Sequence, residues 1–324
     1  MSNYKTAESV SPKHPDKLCD QISDAILDAY LKEDPNSRVA IDVAGGHKQL
    51  FVTGEITSAA KNVDIAGIVK RLAGNVKLTT SLSSQSPEIA QGVDIGGAGD
   101  QGVMVGFATS ETKELLPLEV VLSRQLNQYL YSIWPFDGKT QITLKNGLIT
   151  SAVASFQNAP GKELNDAVND WIDKQTAKRH DREFKLFANP AGDWQIGGFD
   201  ADSGLTGRKL VVDNYGPRVP IGGGAFSGKD PSKVDRSAAY IARKIAIDLI
   251  RKHKAREVYV HLAYAIGYDQ PLEATATIDN KQIKITGYDL SPNGIINFLD
   301  LKRPIYEPTA RYGHFGHGEF AWEA

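Results

Sequence analysis

An α+β fold of three similar units, each a sheet carrying helices on one face, is what the order of elements predicts. Three observations carry it. The succession strand, helix, two strands, helix occurs about three times at a spacing of about one hundred residues. The helical stretches are one-sided, and Asn146-Gly147 between two strand-like runs marks a type I′ hairpin. No residue-level repeat accompanies the order, and a coincidence of ordinary α+β elements fits it as well. The units would span 1–95, 96–196 and 197–324, with strands open to exchange between them.

Residues 15–33 repeat Leu18, Ile22, Ile26 and Tyr30 on one face and Asp20, Asp24, Asp28 and Lys32 on another, so a helix opened by Pro15 is expected. Strands over 38–43 and 49–57, a helix near 64–73 and an extended run near 76–82 complete the first third. The middle third reads as a strand over 102–109, then a helix over 118–133 with Val121, Leu122, Leu126 and Leu130 inward. The hairpin 140–145 and 148–156 follows, then a helix burying Leu164, Val168, Trp171 and Ile172, and a strand over 183–188. In the last third, strands are expected over 208–213, 258–266 and 273–278. A long helix over 231–253 and a short one near 292–301 accompany them.

The chain has 324 residues, 41% hydrophobic and 23% charged, with a formal net charge of −2. That is ample for a core and gives no basic footprint for nucleic acid. The single cysteine, Cys19, sits on an apolar helix face and reads as a core residue. The N-terminus lacks a signal-peptide pattern and no apolar run approaches a membrane span, so a cytoplasmic location is expected.

The chemistry concentrates in Gly222-Gly223-Gly224-Ala225-Phe226-Ser227-Gly228-Lys229-Asp230-Pro231-Ser232-Lys233-Val234-Asp235-Arg236. Glycines admit backbone N–H groups close to an anion, a helix N-terminus adds unpaired donors, and the lysines add point charges. Asp230 reads as the helix cap. A P-loop is rejected, because Asp230 stands where Ser or Thr should hold magnesium and no buried strand precedes the loop. A glycine-rich turn with solvated lysines is the plainer reading of this stretch alone.

His14-Pro15-Asp16-Lys17 offers donors and an oxygen ligand at the mouth of the first helix, though His14 as an approximate cap with Asp16 suiting the helix dipole explains the tetrapeptide alone equally well. Glu55 lies inside an otherwise apolar strand, facing solvent or gripping an amino group. The polar, glycine-rich run from Gln91 to Gly102 suits a lid or a tight turn. Asp202, Arg208 and Lys209 surround another glycine loop, and Lys139 stands at a strand start. Five cations beside loop glycines, Lys139, Arg208, Lys209, Lys229 and Lys233, with Asp16 and Asp235 free for cations, point to a triphosphate with magnesium.

With these motifs the chain resembles the methionine adenosyltransferases, or S-adenosylmethionine synthetases, from about Glu8 to Glu323. Glu8-Ser9-Val10-Ser11, His14-Pro15-Asp16-Lys17, Gly54-Glu55-Ile56-Thr57, Gly97-Ala98-Gly99-Asp100-Gln101-Gly102, Gly204-Leu205-Thr206-Gly207-Arg208-Lys209, the run 222–236 and Tyr312-Gly313-His314-Phe315-Gly316 carry the likeness in order. The resemblance implies three α+β units about a pseudo-threefold axis, and synthesis of S-adenosylmethionine from ATP and L-methionine followed by hydrolysis of the tripolyphosphate. A thioether attacking C5′ needs no general base, which suits an excess of phosphate-binding cations over catalytic bases.

By the same resemblance His14, Lys139, Arg208, Lys209 and Lys229 are catalytic. Those five would bind ATP together with Lys17, Asp137, Trp194, Asp202 and Ala225. Glu55, Gln91, Asp202 and Lys233 would place methionine. Asp16 and Asp235 would hold two Mg²⁺ per site, and Asp42, one methylene shorter than the usual glutamate, would take the K⁺ position. Gln91, Asp94, Ile95, Gly96 and Gly97 would form the lid. A homodimer with its sites between subunits, possible also as a dimer of dimers, is implied.

The chain departs from the family pattern in several places. Lys13 replaces a glycine before His14, Asp193-Trp194 replaces Arg-Phe, Ser203 replaces a cysteine, and the lid and first unit are shortened. The short lid makes a polyphosphate hydrolase a second class to weigh, and a non-catalytic nucleotide-binding subunit a third. The intact substrate and phosphate residues argue against both.

Overall fold

A computed structural model describes residues 4–84, 97–175 and 180–324. Its strands form three four-stranded sheets. One orders β1 (Tyr4–Val10), β6 (Gly138–Lys145), β7 (Leu148–Phe156) and β8 (His180–Ala188). A second orders β12 (Lys281–Lys284), β11 (Glu273–Ile278), β10 (Glu257–Tyr264) and β5 (Gly102–Thr109). The third orders β4 (Lys77–Ser83), β3 (Gln49–Thr57), β2 (Arg38–Gly46) and β9 (Gly204–Leu205).

The threefold succession acquires a physical meaning here. Each sheet takes three strands from one stretch of chain and one from another, and the donation is cyclic. β1 pairs antiparallel with β6 of the second stretch, β5 with β10 of the third, and β9 with β2 of the first. Each sheet packs one face on helices: α1 (Pro15–Glu33) on the third sheet with α2 (Ile65–Ala73) against α1, α3 (Leu118–Ile133) and α4 (Gly161–Gln175) on the first, α6 (Val234–His253) on the second. Period-two burial along β2 and β10 reflects the single covered face.

Leu126, Leu130, Ile142 and Trp171 belong to the core of the first sheet, while Ile22, Val52, Phe107, Ile241 and Val260 share a core spanning the other two. Cys19 is fully buried there and burial pushes its thiol up, as befits a core residue. No described helix is long and apolar enough to cross a membrane.

Local signals hold at the turns and fail at two element starts. Asn146 and Gly147 have φ of 52° and 83°, the left-handed pair that a type I′ turn requires. The strand expected over 208–213 is instead β9 followed by a helical turn, α5 (Leu210–Asp213). α6 begins at Val234, because the Asp230 carboxylate accepts from Ser232 N–H and Val39 N–H and so holds a tight turn ahead of the helix. Two further helices, α7 (Pro292–Leu299) and α8 (Thr309–Tyr312), follow.

Candidate active site

The exchanged strands deliver the polar residues. At its end β1 sets Val10 opposite Lys139, Ser11 N–H donates to the Gly138 carbonyl, and the Ser11 hydroxyl donates to the Phe136 carbonyl. His14 therefore arrives beside Asp137 and Lys139. These three, with Ser155, Trp194 and Asp202, line a pocket of 370 Å³. Trp194 holds its indole by donating to Asn189 Oδ1, and Asp137 accepts from Gly198 N–H at 3.0 Å. Burial pushes the Asp137 carboxyl above its ordinary value.

His14 caps α1: its Nδ1 accepts from Asp16 N–H at 3.2 Å. That bond leaves the proton of the neutral ring on Nε2. Burial, then the charges of Lys209 and Lys139, lower its pKa to about 3, so the imidazole is neutral at physiological pH.

β9 brings the second set. Gly204 lies so close to the start of α1 that a Cβ there would meet the Pro15 carbonyl oxygen at 2.2 Å, so only glycine allows the approach. Leu205 N–H then donates to Asp16 at 3.0 Å, Arg208 Nε lies 2.8 Å from the same oxygen, and Lys209 Nζ lies 2.5 Å from the other. Burial works to raise the Asp16 carboxyl, but Lys209 and the Leu205 N–H outweigh it and hold the group below its ordinary value.

The glycine-rich stretch forms a separate set. Lys229 Nζ lies 2.6 Å from Asp235 Oδ2, while Lys233 is paired with Asp230 at 2.5 Å. Ala40 pairs with Glu55 on one side and bridges to Lys229 on the other, so half-buried Glu55 belongs with this set. The two sets meet at backbone level, where a Cβ on Gly207 would come 2.4 Å from the Ala225 methyl. Among the described residues no hydrogen bond or ion pair joins the charged groups of one set to those of the other.

Three expectations need correction or limits. Lys17 does not reach the pocket: its ammonium is fully buried, 2.6 Å from Asp213 and 3.1 Å from Asp20, so it cannot bind ATP directly. Burial opposes its charge, but the two aspartates raise its pKa nonetheless. Asp42 lies exposed on the outer face of β2, opposite Thr53. Gln91, Asp94, Ile95 and Gly96 lie outside the described residues, and of the expected lid only Gly97 is described, buried ahead of Ala98, which bonds with Gly267 and Tyr268.

No group of three or more His, Cys, Asp or Glu converges among the described residues. Asp16 and Asp235 each stand as a lone hard oxygen donor beside cations. This fits a magnesium ion that completes its shell with phosphate oxygens and water better than one enclosed by protein.

The sequence reading missed Asp20, Asp24, Asp28 and Asp213 as parts of this construction. Asp20 accepts from Gly207 N–H, Asp24 from Gly228 N–H and Arg236, and Asp28 from Tyr306 and Glu307 N–H. With Asp16 they form a row at four-residue spacing along α1, and each fixes a loop. The spacing itself was the available signal.

The S-adenosylmethionine synthetase N-terminal domain matches residues 2–93, the central domain 95–194 and the C-terminal domain 196–324. An S-adenosylmethionine synthase of Treponema denticola is 44% identical, covering 99% of this chain and 95% of the relative. One from Pseudothermotoga lettingae is 41% identical over 100% and 97% of the two chains, and one from Bifidobacterium adolescentis 40% over 98% and 95%. These alignments run over 373 to 391 positions against 324 residues here, so the relatives carry segments that this chain lacks. The chain belongs to the S-adenosylmethionine synthetase family.

Proposed function

We propose that the protein joins ATP and L-methionine to give S-adenosylmethionine and tripolyphosphate, and then adds water to tripolyphosphate to give phosphate and pyrophosphate. The observation that carries this reading is the neutral, buried His14 with its Nε2–H available beside Lys139. In the first step the methionine sulfur forms a bond to C5′ as the C5′–O5′ bond breaks, and the electron pair leaves with O5′. The His14 Nε2–H donates to that oxygen as its charge grows, a contact stronger in the transition state than in the ground state.

Lys139, Arg208, Lys209 and Lys229 bind the phosphates, and Trp194 covers the adenine, with Asp137, Asp202 and Ala225 at the nucleotide. Arg208, Lys209 and Lys229 rest on Asp16 and Asp235. A triphosphate offers them a stronger partner and frees those carboxylates. Asp16 and Asp235 hold Mg²⁺, which when bound neutralises charge on the leaving triphosphate. Glu55 and Asp202 take the amino group of methionine, and Gln91 and Lys233 complete its site, Lys233 by exchanging Asp230 for the substrate carboxylate.

We further propose a homodimer. Phe51 and Leu205 are 40% and 42% exposed on the outer face of the sheet that holds Asp42, beside a cleft of 520 Å³ that Arg208 also lines. A second copy covering this face would let the glycine-rich set of one chain complete the His14 set of the other.

The test is an incubation with ATP, methionine, Mg²⁺ and K⁺ in which S-adenosylmethionine, phosphate and pyrophosphate are followed together. Equal amounts of all three are expected; phosphate without S-adenosylmethionine would overturn the reading.

A further inference from the structure

A second cleft, of 540 Å³, lies against the pocket that holds His14, and the two share Asp137 as a wall. The bond from Gly198 N–H to Asp137 forms part of that partition. Four cations line the cleft: Lys13, Lys48, Lys70 and Arg71. Arg71 is held by Glu307 in a two-point pair at 2.7 and 2.8 Å, and Lys13 Nζ reaches the Leu72 carbonyl at 3.4 Å. Lys48 and Lys70 have no hydrogen-bond or ion-pair partner for their ammonium groups among the described residues. Two acids, Asp137 and Asp200, share the lining, and Asp137 is already turned to Gly198.

The remaining wall is apolar and partly aromatic. Phe136 is 40% exposed on this wall, and the edge of the mostly buried Phe199 forms part of the same lining. A cleft of this volume, with aromatic walls and unpaired cations, has the makings of a small-molecule site. Lysine is a point-charge partner for phosphate, and a planar ring packs on phenylalanine. The C-terminal end of α2 opposes an anion with its dipole, so the lysines must supply the attraction.

We propose that this cleft is a second nucleotide site: a nucleoside phosphate binds with its phosphate on Lys48, Lys70 and Lys13 and its base against Phe136 and Phe199. An occupant meets the neighbouring pocket only across the shared Asp137 wall. The inference rests on the reading above only in assigning that neighbouring pocket to ATP.

The experiment is equilibrium dialysis of the full chain with ADP, counting sites per chain. Two classes of site are expected for the wild type. In Lys48→Glu/Lys70→Glu one class weakens at least about tenfold, the loss expected when charged contacts to phosphate are removed. The other class and the basal turnover stay unchanged. Lys139→Glu should weaken only the class that the double variant spares. The single Lys48→Ala, at an exposed turn, guards against misfolding of the double variant and should weaken the same class.

One class in the wild type, or two intact classes in the Lys48 and Lys70 variants, would overturn the proposal. So would a second class that takes inorganic pyrophosphate but not ADP. The count needs no turnover, so it stands or falls separately from the synthetase activity.

Discussion

His14 shows how much one side chain depends on its setting. Its ring sits against two lysines, and its Nδ1 is fixed by the helix it caps, so it stays neutral with a donor at Nε2. The folded protein keeps it unprotonated down to about 3, whereas an unfolded chain takes up a proton near its ordinary 6.5. The unfolded state therefore binds more protons between these values, and the site's contribution to stability is lost as pH falls through that window. Nitrogen-15 shifts of His14 should report the neutral Nε2–H tautomer from pH 8 to pH 5; a protonated ring at pH 6 would contradict the geometry. His14→Ala should slow S-adenosylmethionine formation by about a hundredfold to a thousandfold, as for other donors to a developing oxyanion. Hydrolysis of added tripolyphosphate should largely survive, because it bypasses C5′. Equal loss of both would show that His14 does more than assist departure of O5′.

At the scale of elements, α1 is the part on which the loops are hung. Its carboxylates pin the 204–209 loop, the glycine-rich loop and the 306–307 segment. Asp24 and Arg236 are both fully buried and joined twice, at 2.6 and 2.9 Å. Arg236→Ala leaves a buried carboxylate with the Gly228 N–H but no counter-charge, and should cost about 3–5 kcal/mol in denaturant unfolding. Asp24→Leu in that background should recover part of the loss; no recovery would mean that the arginine acts through its packing on Tyr306, 4.2 Å from the ring centroid.

Asp28 has the opposite pH sign to His14. Burial raises it to about 7 against the two N–H bonds that lower it, so the folded state holds the proton in the window where the unfolded state has lost it. As pH falls from 8 to 5, the wild type should gain stability relative to Asp28→Asn. Equal urea midpoint differences at both pH values would refute this. The sequence showed α1, its apolar face and its start at Pro15, because these depend on neighbours within a few residues. It could not show that the acidic face is buried as well, since the partners come from positions roughly two hundred and more residues away, as Arg236 and Tyr306 do. Arg208 and Lys209 were expected beside an anion from their glycines and stand together on Asp16, but the strand expected there is a two-residue pairing whose register only β2 defines.

For the whole molecule, cyclic donation of strands explains where the site lies. The residues proposed to bind ATP come from 14–16, 137–139, 194–209 and 225–235, and the strands exchanged between units bring these stretches together. The two charged sets nevertheless stay separate within one chain, which is why the proposed site needs two copies. Complementation tests this directly. His14→Ala and Lys229→Ala fall in different sets, and each alone should be nearly inactive. After subunits exchange, half of the dimers carry one variant of each kind. In such a dimer one site holds both substitutions and the other holds neither. About one quarter of the wild-type activity should therefore return when equal amounts are mixed, if the sites lie between chains as twofold symmetry allows. If exchange is verified by mass and no activity returns, both sets act within one chain, and the exposed face with Phe51 and Leu205 must have another use.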